Sequence, residues 1–237
     1  MKMKTIGLIG GMSWESSAEY YRLINQGMKN RLGDHNNARS IMATVCFEEI
    51  KALQYAGRWD ELALRMQEAA LQVQAGGADL VLLCTNTMHK VAPAIEAVLQ
   101  VPFVHIVDPT AQALKGARIG RVGLLGTRFT MEEDFYRSRM TQHHGIEVLI
   151  PEERARARVH DIIYDELCHG VLSDSSREEY KHIIGKLQAR GARGIILGCT
   201  EITLLIGQSD VPIPVFDTTA LHAHAAVSLA LTEGDDA

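Results

Sequence analysis

The chain of 237 residues carries one pattern of glycines and cysteines twice. The first half has the run IGLIGG at 6–11 and later Cys84, and the second half has VGLLGT at 122–127 and later Cys199. The interval from Ile6 to Cys84 is one residue longer than that from Val122 to Cys199. A copy of about 115 residues is a normal size for a domain with its own core. The repeat therefore predicts a duplicated domain with one thiol in each copy.

Short apolar runs alternate with longer amphipathic stretches along the whole chain, which is typical of parallel α/β architecture. The runs are rich in Ile, Val and Leu, as expected for strands buried on both faces. They predict strands at 4–9, 40–46, 79–83, 102–106, 120–125, 146–149, 193–197 and 213–216. The stretches between predict helices at 14–31, 58–76, 87–100, 129–144, 152–170, 175–190 and 217–231. The fold class is thus α/β, with two pseudo-symmetric domains, each a mostly parallel sheet flanked by helices, and an active site in the cleft between them.

The domain boundaries are predicted from the segments that lie between the two copies of the repeat and after the second copy. The segment 108–116 is the expected crossing point between the halves, and the last strand and helix come after the second cysteine without a place in its repeat. We therefore expect them to return to the first domain. The prediction is a first domain of residues 1–108 plus 215–237 and a second of 109–214.

Charge and cysteine spacing exclude several classes of protein. The net charge is −5 and the isoelectric point about 6.1, with no Lys/Arg cluster, which argues against nucleic-acid binding. No apolar run approaches the ~20 residues that span a bilayer, and the N-terminal apolar stretch is too short for a cleaved signal, so we expect a cytoplasmic protein with no membrane partner. Four cysteines without Cys-x-x-Cys spacing predict reduced thiols and no metal site.

Each of the paired cysteines follows a predicted buried strand and precedes a helix. Open α/β sheets bind ligands at that position, and a helix N-terminus is expected to lower a thiol pKa from its free value of ~8.5. Thr85, Asn86 and Thr87 after Cys84 would supply donors for a substrate carboxylate. The alternative is that both cysteines are small core residues, and the matched pair argues for reactive thiols.

Other residue groups allow two interpretations each. The loops 10–14 and 126–128 are either backbone nests for an anion or tight turns that need glycine, and the dinucleotide G-x-G-x-x-G spacing is absent. Cys46 and Cys168 are expected in the core, although Cys168 could reach the cleft. His89 and Lys90 could tune Cys84 or lie at the surface.

Three motifs together resemble the aspartate/glutamate racemase family: GGMSWES at 10–16, CTNTMHK at 84–90 and GCTE at 198–201. They occur in the family's order, and the likeness is greatest to the broad-specificity aspartate/homoserine type. The resemblance implies a cofactor-independent enzyme with two pseudo-symmetric domains, a homodimer, and Cys84 and Cys199 as paired acid and base. It also implies substrate-binding residues, which are Met12 and Trp14 in the loop over the cleft, Asn86, Thr87, Thr127 and Thr200 at the substrate carboxylate, and Gln54 and Cys168 in the side-chain pocket. Thr85 and Glu201, which directly follow Cys84 and Thr200, are further predicted substrate-binding residues.

The side-chain pocket departs from the strict aspartate racemases that the chain resembles. Those tend to carry Arg and Lys where this chain has the neutral Gln54 and Cys168. A buried distal carboxylate would then lack a charged partner, which favours a neutral polar side chain such as homoserine's. Arg58 could still supply a charge, so aspartate stays open.

The sequence therefore predicts an isomerase that interconverts L- and D-amino acids by a two-cysteine proton transfer at Cα. The partner is a small-molecule amino acid, and no cofactor is expected. One alternative is another small-acid isomerase or decarboxylase, or a hydantoin racemase, of the same superfamily. A second alternative is a non-catalytic amino-acid-binding protein.

Overall fold

The computed structural model describes residues 3–232, which form two compact units. Of the described residues, the first unit contains 3–106 and 222–232, and the second is Val107–Leu221. In chain order the first contains β1 (Ile6–Gly10), α1 (Trp14–Leu32), β2 (Ser40–Thr44), α2 (Phe47–Tyr55), α3 (Trp59–Ala75), β3 (Leu80–Leu83), a 3₁₀ turn (Thr87–Val91), α4 (Ala92–Val98) and β4 (Phe103–Val104).

The second unit begins with a helix and repeats the same plan. Its elements are α5 (Val107–Gly116), β5 (Arg121–Gly126), α6 (Arg128–Glu132), α7 (Asp134–His144), β6 (Glu147–Leu149), α8 (Glu153–Asp161), α9 (Asp174–Ala189), β7 (Ile195–Gly198), α10 (Ile202–Leu205) and β8 (Val215–Asp217). A π-helical segment (Ile162–Glu166) and a 3₁₀ turn (Leu167–His169) follow α8. Helix α11 (Thr218–Leu231) continues from β8 into the first unit.

Both sheets are parallel and have the same strand order. The first is β2-β1-β3-β4 and the second β6-β5-β7-β8. All pairs are parallel, with Ile9 opposite Leu83 in one sheet and Gly126 opposite Gly198 in the other. In each sheet the chain goes first to one side of the opening strand and then to the other, which creates a topological switch point. The predicted pseudo-symmetric α/β architecture is confirmed.

Strand alternation divides the core of the first unit between the two faces of its sheet. The even-numbered residues of β3, Leu80 and Leu82, and Cys84 after them, pack with α1 and α11. The odd-numbered Val81 and Leu83 pack with α2, α3 and α4. The strand is therefore buried on both faces, and its alternation places the Cys84 side chain on the α1/α11 face.

The last strand corrects the sequence prediction. β8 does not return to the first domain, because it pairs with β7 through Ile196 opposite Phe216. It is the fourth strand of the second sheet, as β4 is of the first. Only the residues from His222 on join the first unit, where Ala223, Ala226 and Val227 enter the same core as α1.

The strands are easier to predict than the helices. Each predicted strand is present, but α2, α5 and α10 lie outside the predicted helices. The expected crossing segment folds as α5, and the helices predicted at 129–144 and 152–170 are each interrupted. Cys46, expected in a strand core, is exposed at the N-cap of α2.

Candidate functional site

Cys84 lies at the switch point of the first sheet, directly after β3. Its backbone N–H donates to the Ile9 carbonyl at 2.9 Å, so the turn after β3 continues the pairing with β1. Its carbonyl accepts the Ser16 hydroxyl of α1 at 3.3 Å. The side chain itself is fully buried.

The loop after β1 lies beside this cysteine because β1 and β3 are adjacent parallel strands. Gly11 has a φ of +93°, and a Cβ there would lie 2.2 Å from the Val45 carbonyl oxygen, so only glycine fits. The Gly11 N–H donates to the Ser17 hydroxyl at 2.8 Å, which in turn donates to the Ser13 carbonyl at 2.9 Å. Serines therefore hold this loop rigidly against the start of α1.

Two predicted residues of this loop have different surroundings. Met12 is buried in the core against α2 and α3. Trp14, the first residue of α1, is 68% exposed. Met12 thus helps to anchor the loop, and the Trp14 ring presents an apolar surface to solvent.

The residues that follow Cys84 form a tight polar turn. Thr85 is half-buried, whereas Asn86 and Thr87 are buried and lead into the 3₁₀ turn. Gln54, at the end of α2, donates from its amide nitrogen to the Met88 thioether at 3.2 Å. Gln54 therefore contacts the 3₁₀ turn that follows Cys84 through the Met88 side chain.

The cations near Gln54 in sequence have other partners. Arg58 is paired with Glu61 and its side chain is 56% exposed. The Lys90 ammonium lies 3.7 Å from the centroid of the Trp59 ring. The Gln54 amide oxygen is buried and makes no hydrogen bond to any residue in 3–232.

The pKa of Cys84 is shifted in the direction opposite to the one that the sequence predicts. Burial raises the pKa of this thiol well above its ordinary value, and no charged group counteracts the effect. The net shift is thus opposite to the lowering predicted from a helix N-terminus. The turn after Asn86 is a short 3₁₀ segment, in which few peptide dipoles align. Cys84 is thus a neutral thiol near pH 7.

Cys199 occupies the equivalent place in the second sheet, directly after β7. Because Gly126 and Gly198 pair in register, Thr127 and Cys199 follow adjacent strands at the same edge. Thr127 is buried and caps α6, accepting the Thr130 N–H at 3.3 Å. This arrangement matches that of the β1 loop beside Cys84.

Cys199 has a carboxylate partner that Cys84 lacks. Its half-buried thiol donates to Glu201 Oε2 at 2.8 Å. Burial raises the pKa of Cys199 well above its ordinary value, and the negative charge of Glu201 raises it further. Thr200, between them, shares a hydrogen bond with Thr219 at 3.1 Å. Cys199 therefore rests as a thiol whose proton is directed at a carboxylate oxygen.

Cys168 belongs to the surroundings of Cys199. It is half-buried in the 3₁₀ turn Leu167–His169, which packs against α10 just after Cys199. The charge of a Cys168 thiolate is a further, smaller cause of the raised pKa of Cys199. The segment before it is π-helical, a local distortion often found at functional sites.

The predicted site residues thus gather in two groups, one in each unit. Those of the first are Met12, Trp14, Gln54, Cys84, Thr85, Asn86 and Thr87, and those of the second are Thr127, Cys168, Cys199, Thr200 and Glu201. Sequence reasoning missed the full burial of His89, whose ring contacts the Cys84 turn. Its position five residues after Cys84 was the available signal.

Two further findings concern residues 3–232. No group of three His, Cys, Asp or Glu side chains in this range has the spacing to hold a metal ion. No helix in it is long and apolar enough to cross a membrane.

Together, fold and site define a class: a duplicated parallel α/β protein with one thiol at each switch point, next to hydroxyl and amide donors. A family model for Asp/Glu/hydantoin racemase matches residues 9–226. The chain belongs to this racemase family.

Individual relatives agree with this assignment. A crystal structure of a putative Asp/Glu racemase from Yersinia pestis is 52% identical, with a TM-score of 0.92, and covers 97% of this chain and 100% of that one. The broad specificity amino-acid racemase RacX of Bacillus subtilis is 24% identical over 94% of this chain and 96% of its own. Glutamate racemase of Streptococcus pyogenes is 27% identical over 133 residues, 53% of this chain, and the match spans about half of that relative's length, 46%.

Proposed function

We propose that this protein is an amino-acid racemase that inverts Cα with Cys84 and Cys199 and needs no cofactor. One observation carries the proposal: each unit places a buried or half-buried thiol at the same topological position, directly after the third strand of its sheet. Two thiols acting on opposite faces of one carbon are what inversion by proton transfer requires.

The two thiols have different surroundings, which suggests how the proton moves. Glu201 takes the proton of Cys199, and the resulting thiolate removes the proton of Cα. Cys84 gives its own proton to the opposite face and is left as the thiolate. The net result is inversion of Cα and transfer of one proton from Cys84 to Glu201. The opposite enantiomer reacts by the reverse sequence, and exchange with solvent also restores the resting state.

Removal of the α-proton needs stabilisation, because this proton is weakly acidic without a cofactor that delocalises charge. The developing charge spreads into the substrate carboxylate, which becomes enolate-like. Donors fixed before the reaction stabilise such charge most effectively. We assign this role to Asn86 and Thr87 in the first unit and Thr127 and Thr200 in the second.

The substrate side chain is proposed to be polar and neutral. Gln54 presents a buried amide oxygen without a hydrogen-bond partner in residues 3–232, and such an acceptor suits a hydroxyl or amide donor. A distal carboxylate would meet this oxygen without a compensating cation, since Arg58 is engaged by Glu61. Homoserine-like substrates are therefore expected to react faster than aspartate.

The test follows proton exchange at Cα in heavy water. The reduced enzyme, without added cofactor, is given single enantiomers of homoserine, serine, methionine, aspartate and glutamate, and NMR and chiral chromatography follow the products. We expect deuterium at Cα together with the opposite enantiomer.

Single substitutions separate a two-base mechanism from a one-base mechanism. Cys84→Ser and Cys199→Ser should each lose racemisation in both directions, on the order of 10²–10⁴-fold. Each variant keeps one thiol and should still exchange the α-proton of one enantiomer, the two variants acting on opposite enantiomers. Cys46→Ser, an exposed cysteine, is the control.

Three results would count against the proposal. Normal racemisation by either serine variant would refute the two-thiol mechanism. Decarboxylation, or turnover of hydantoins alone, would show that the site catalyses a different reaction from amino-acid racemisation. Tight amino-acid binding without exchange would indicate a non-catalytic binding protein.

A further inference from the structure

We propose that His89 is a positioning residue, which holds the turn Cys84–Thr87 so that the Asn86 N–H is directed to the substrate. This inference rests on the proposed racemase function. His89 lies in the 3₁₀ turn after Cys84 and is 1% exposed. In this role His89 neither gains nor loses a proton, because it acts through the hydrogen bonds of its neutral ring.

The backbone partners of His89 define its tautomer. The Thr85 carbonyl lies 2.7 Å from Nδ1, and a carbonyl only accepts, so Nδ1 carries the proton. The Ile106 backbone N–H, which only donates, lies 3.1 Å from Nε2. The ring is therefore neutral, with a proton on Nδ1 and an acceptor at Nε2, and it connects the Cys84 turn to the residue that ends the first segment of the unit.

A second histidine in the same core has the opposite tautomer. His222 Nε2 lies 2.7 Å from the Val104 carbonyl and must donate to it. Its Nδ1 then accepts the Tyr20 hydroxyl at 2.8 Å. The core thus contains two neutral histidines with protons on different nitrogens. Of the two, His89 donates to the turn that carries Cys84, through the Thr85 carbonyl.

The first three carbonyls of the turn Cys84–Thr87 accept hydrogen bonds from protein groups. The Cys84 carbonyl accepts from Ser16, the Thr85 carbonyl from the His89 ring and the Asn86 carbonyl from the His89 backbone N–H at 3.0 Å. A negatively charged substrate is repelled by carbonyl oxygens. These carbonyl oxygens are therefore directed to internal donors, and the Cys84 and Thr85 N–H groups are themselves paired with the Ile9 and Leu83 carbonyls.

The bond from the His89 ring to Thr85 also orients the next amide. In a trans peptide the C=O and N–H point in opposite directions, so fixing the Thr85 carbonyl on His89 turns the Asn86 N–H away from the histidines. A donor on the carbonyl also polarises the peptide and strengthens that N–H as a donor. We assign the Asn86 N–H to the substrate carboxylate.

Two isosteric variants separate the two nitrogens of the ring. His89→Asn places an amide donor near the position of Nδ1 and keeps the bond to Thr85. His89→Gln places an amide oxygen near Nε2 and keeps the bond from Ile106 but loses the one to Thr85. We expect His89→Gln to lower kcat/KM about tenfold or more in both directions, mainly through kcat, and His89→Asn to retain most of the activity.

Tyr20→Phe is the matched control. It removes one buried hydrogen bond in the same core, the one to His222, without touching the Cys84 turn. We expect its melting temperature to fall as for the His89 variants, with kcat and KM unchanged. A loss of activity in proportion to stability across all three variants would show a merely structural role and overturn the inference.

Nitrogen-15 NMR of the unsubstituted protein tests the geometry independently of activity. Long-range proton–nitrogen correlations should show His89 protonated at Nδ1 and His222 at Nε2, and the Asn86 amide signal should shift on addition of homoserine. A proton on Nε2 of His89, or equal activity of the two isosteric variants, would overturn the inference and leave the proposed racemase intact. A folded protein that exchanges no α-proton would instead refute the proposed function.

Discussion

Glu201 distinguishes the two thiols more than any other neighbour does. Its carboxylate accepts the Cys199 S–H at 2.8 Å and raises the pKa of that thiol, whereas burial alone raises the pKa of Cys84. The same group therefore opposes formation of the thiolate at rest and, in the proposed reaction, accepts its proton. A substitution that keeps the shape of Glu201 and removes its charge should separate these two effects.

Glu201→Gln is expected to make the Cys199 thiol more reactive towards alkylation and, at the same time, to slow racemisation. Without the neighbouring charge the pKa of Cys199 falls, so alkylation of this thiol by iodoacetamide should begin at a lower pH. Without the proton acceptor, kcat/KM should fall on the order of 10²-fold. Glu178→Gln, at an exposed carboxylate paired with Lys181, should change neither. An unchanged pH profile together with normal turnover would contradict the assigned role.

Cys84, Cys199 and His89 differ in how far the sequence predicts their roles. The repeat identifies Cys84 and Cys199 because glycine and cysteine spacing is a one-dimensional property. The role of His89 depends on Ile106, seventeen residues away, and on a turn whose shape no local pattern specifies. The predicted direction of the Cys84 pKa is wrong because position at a helix start weighs less than burial, which the sequence pattern does not measure.

At the scale of elements, an ion-pair group joins α5 to α7 in the second unit. Asp108 accepts two hydrogen bonds from Arg139, at 2.8 and 2.7 Å, and one from His144 at 2.9 Å. Burial raises the pKa of Asp108, but the hydrogen bonds and charges of these partners outweigh it, and the pKa lies below its usual value. The carboxylate form is therefore favoured in the folded protein.

Asp108→Asn should destabilise the protein by about 1–2 kcal/mol at pH 7, as hydrogen bonds to a charged group are lost. A lowered pKa stabilises the fold above the unfolded value of about 3.9 and ceases to do so as the pH falls through the folded value. The difference between variant and unsubstituted protein should thus close below about pH 4.

Urea unfolding at a series of pH values measures this difference. Asp134→Asn, at a carboxylate 84% exposed and paired with Arg137, is the control and should cost less than about 0.5 kcal/mol. A constant difference from pH 7 to pH 3 would show that the carboxylate charge is not what joins the two helices.

The elements also differ in how far sequence predicts them. Runs such as Leu80–Leu83 are buried on both faces and stand out as continuous apolar segments. Helix α5 escapes prediction because Pro109 resembles a break between domains, although proline fits the first turn of a helix. The predicted sheet for β8 is wrong because strand pairing is a long-range choice, and this strand pairs with β7.

At the scale of the whole molecule, the first unit is discontinuous and the second is not. Residues 107–221 contain every strand of the second sheet. The first sheet also needs α11, whose Ala223, Ala226 and Val227 lie in the core around Tyr20 and Ile24. The two units should therefore respond differently to truncation.

A chain ending at residue 221 is expected to keep the second unit folded and to lose protection in the first. Hydrogen exchange resolved by peptide should show fast exchange in β1, β3 and α1 and slow exchange in β5 and β7. A chain ending at residue 232 should protect both units. Equal protection of the first unit in both chains would mean that α11 is dispensable for that core.

Because α11 is at the C-terminal end of the described chain, the unit that is synthesised first is expected to complete its folding last. The strands of the first sheet leave the ribosome early, yet the helix that covers their Tyr20 face is translated only after the entire second unit. The second unit can fold as soon as it emerges, whereas the first must keep an apolar face uncovered during that time. The nascent chain is therefore expected to need chaperone protection on the half that is made first.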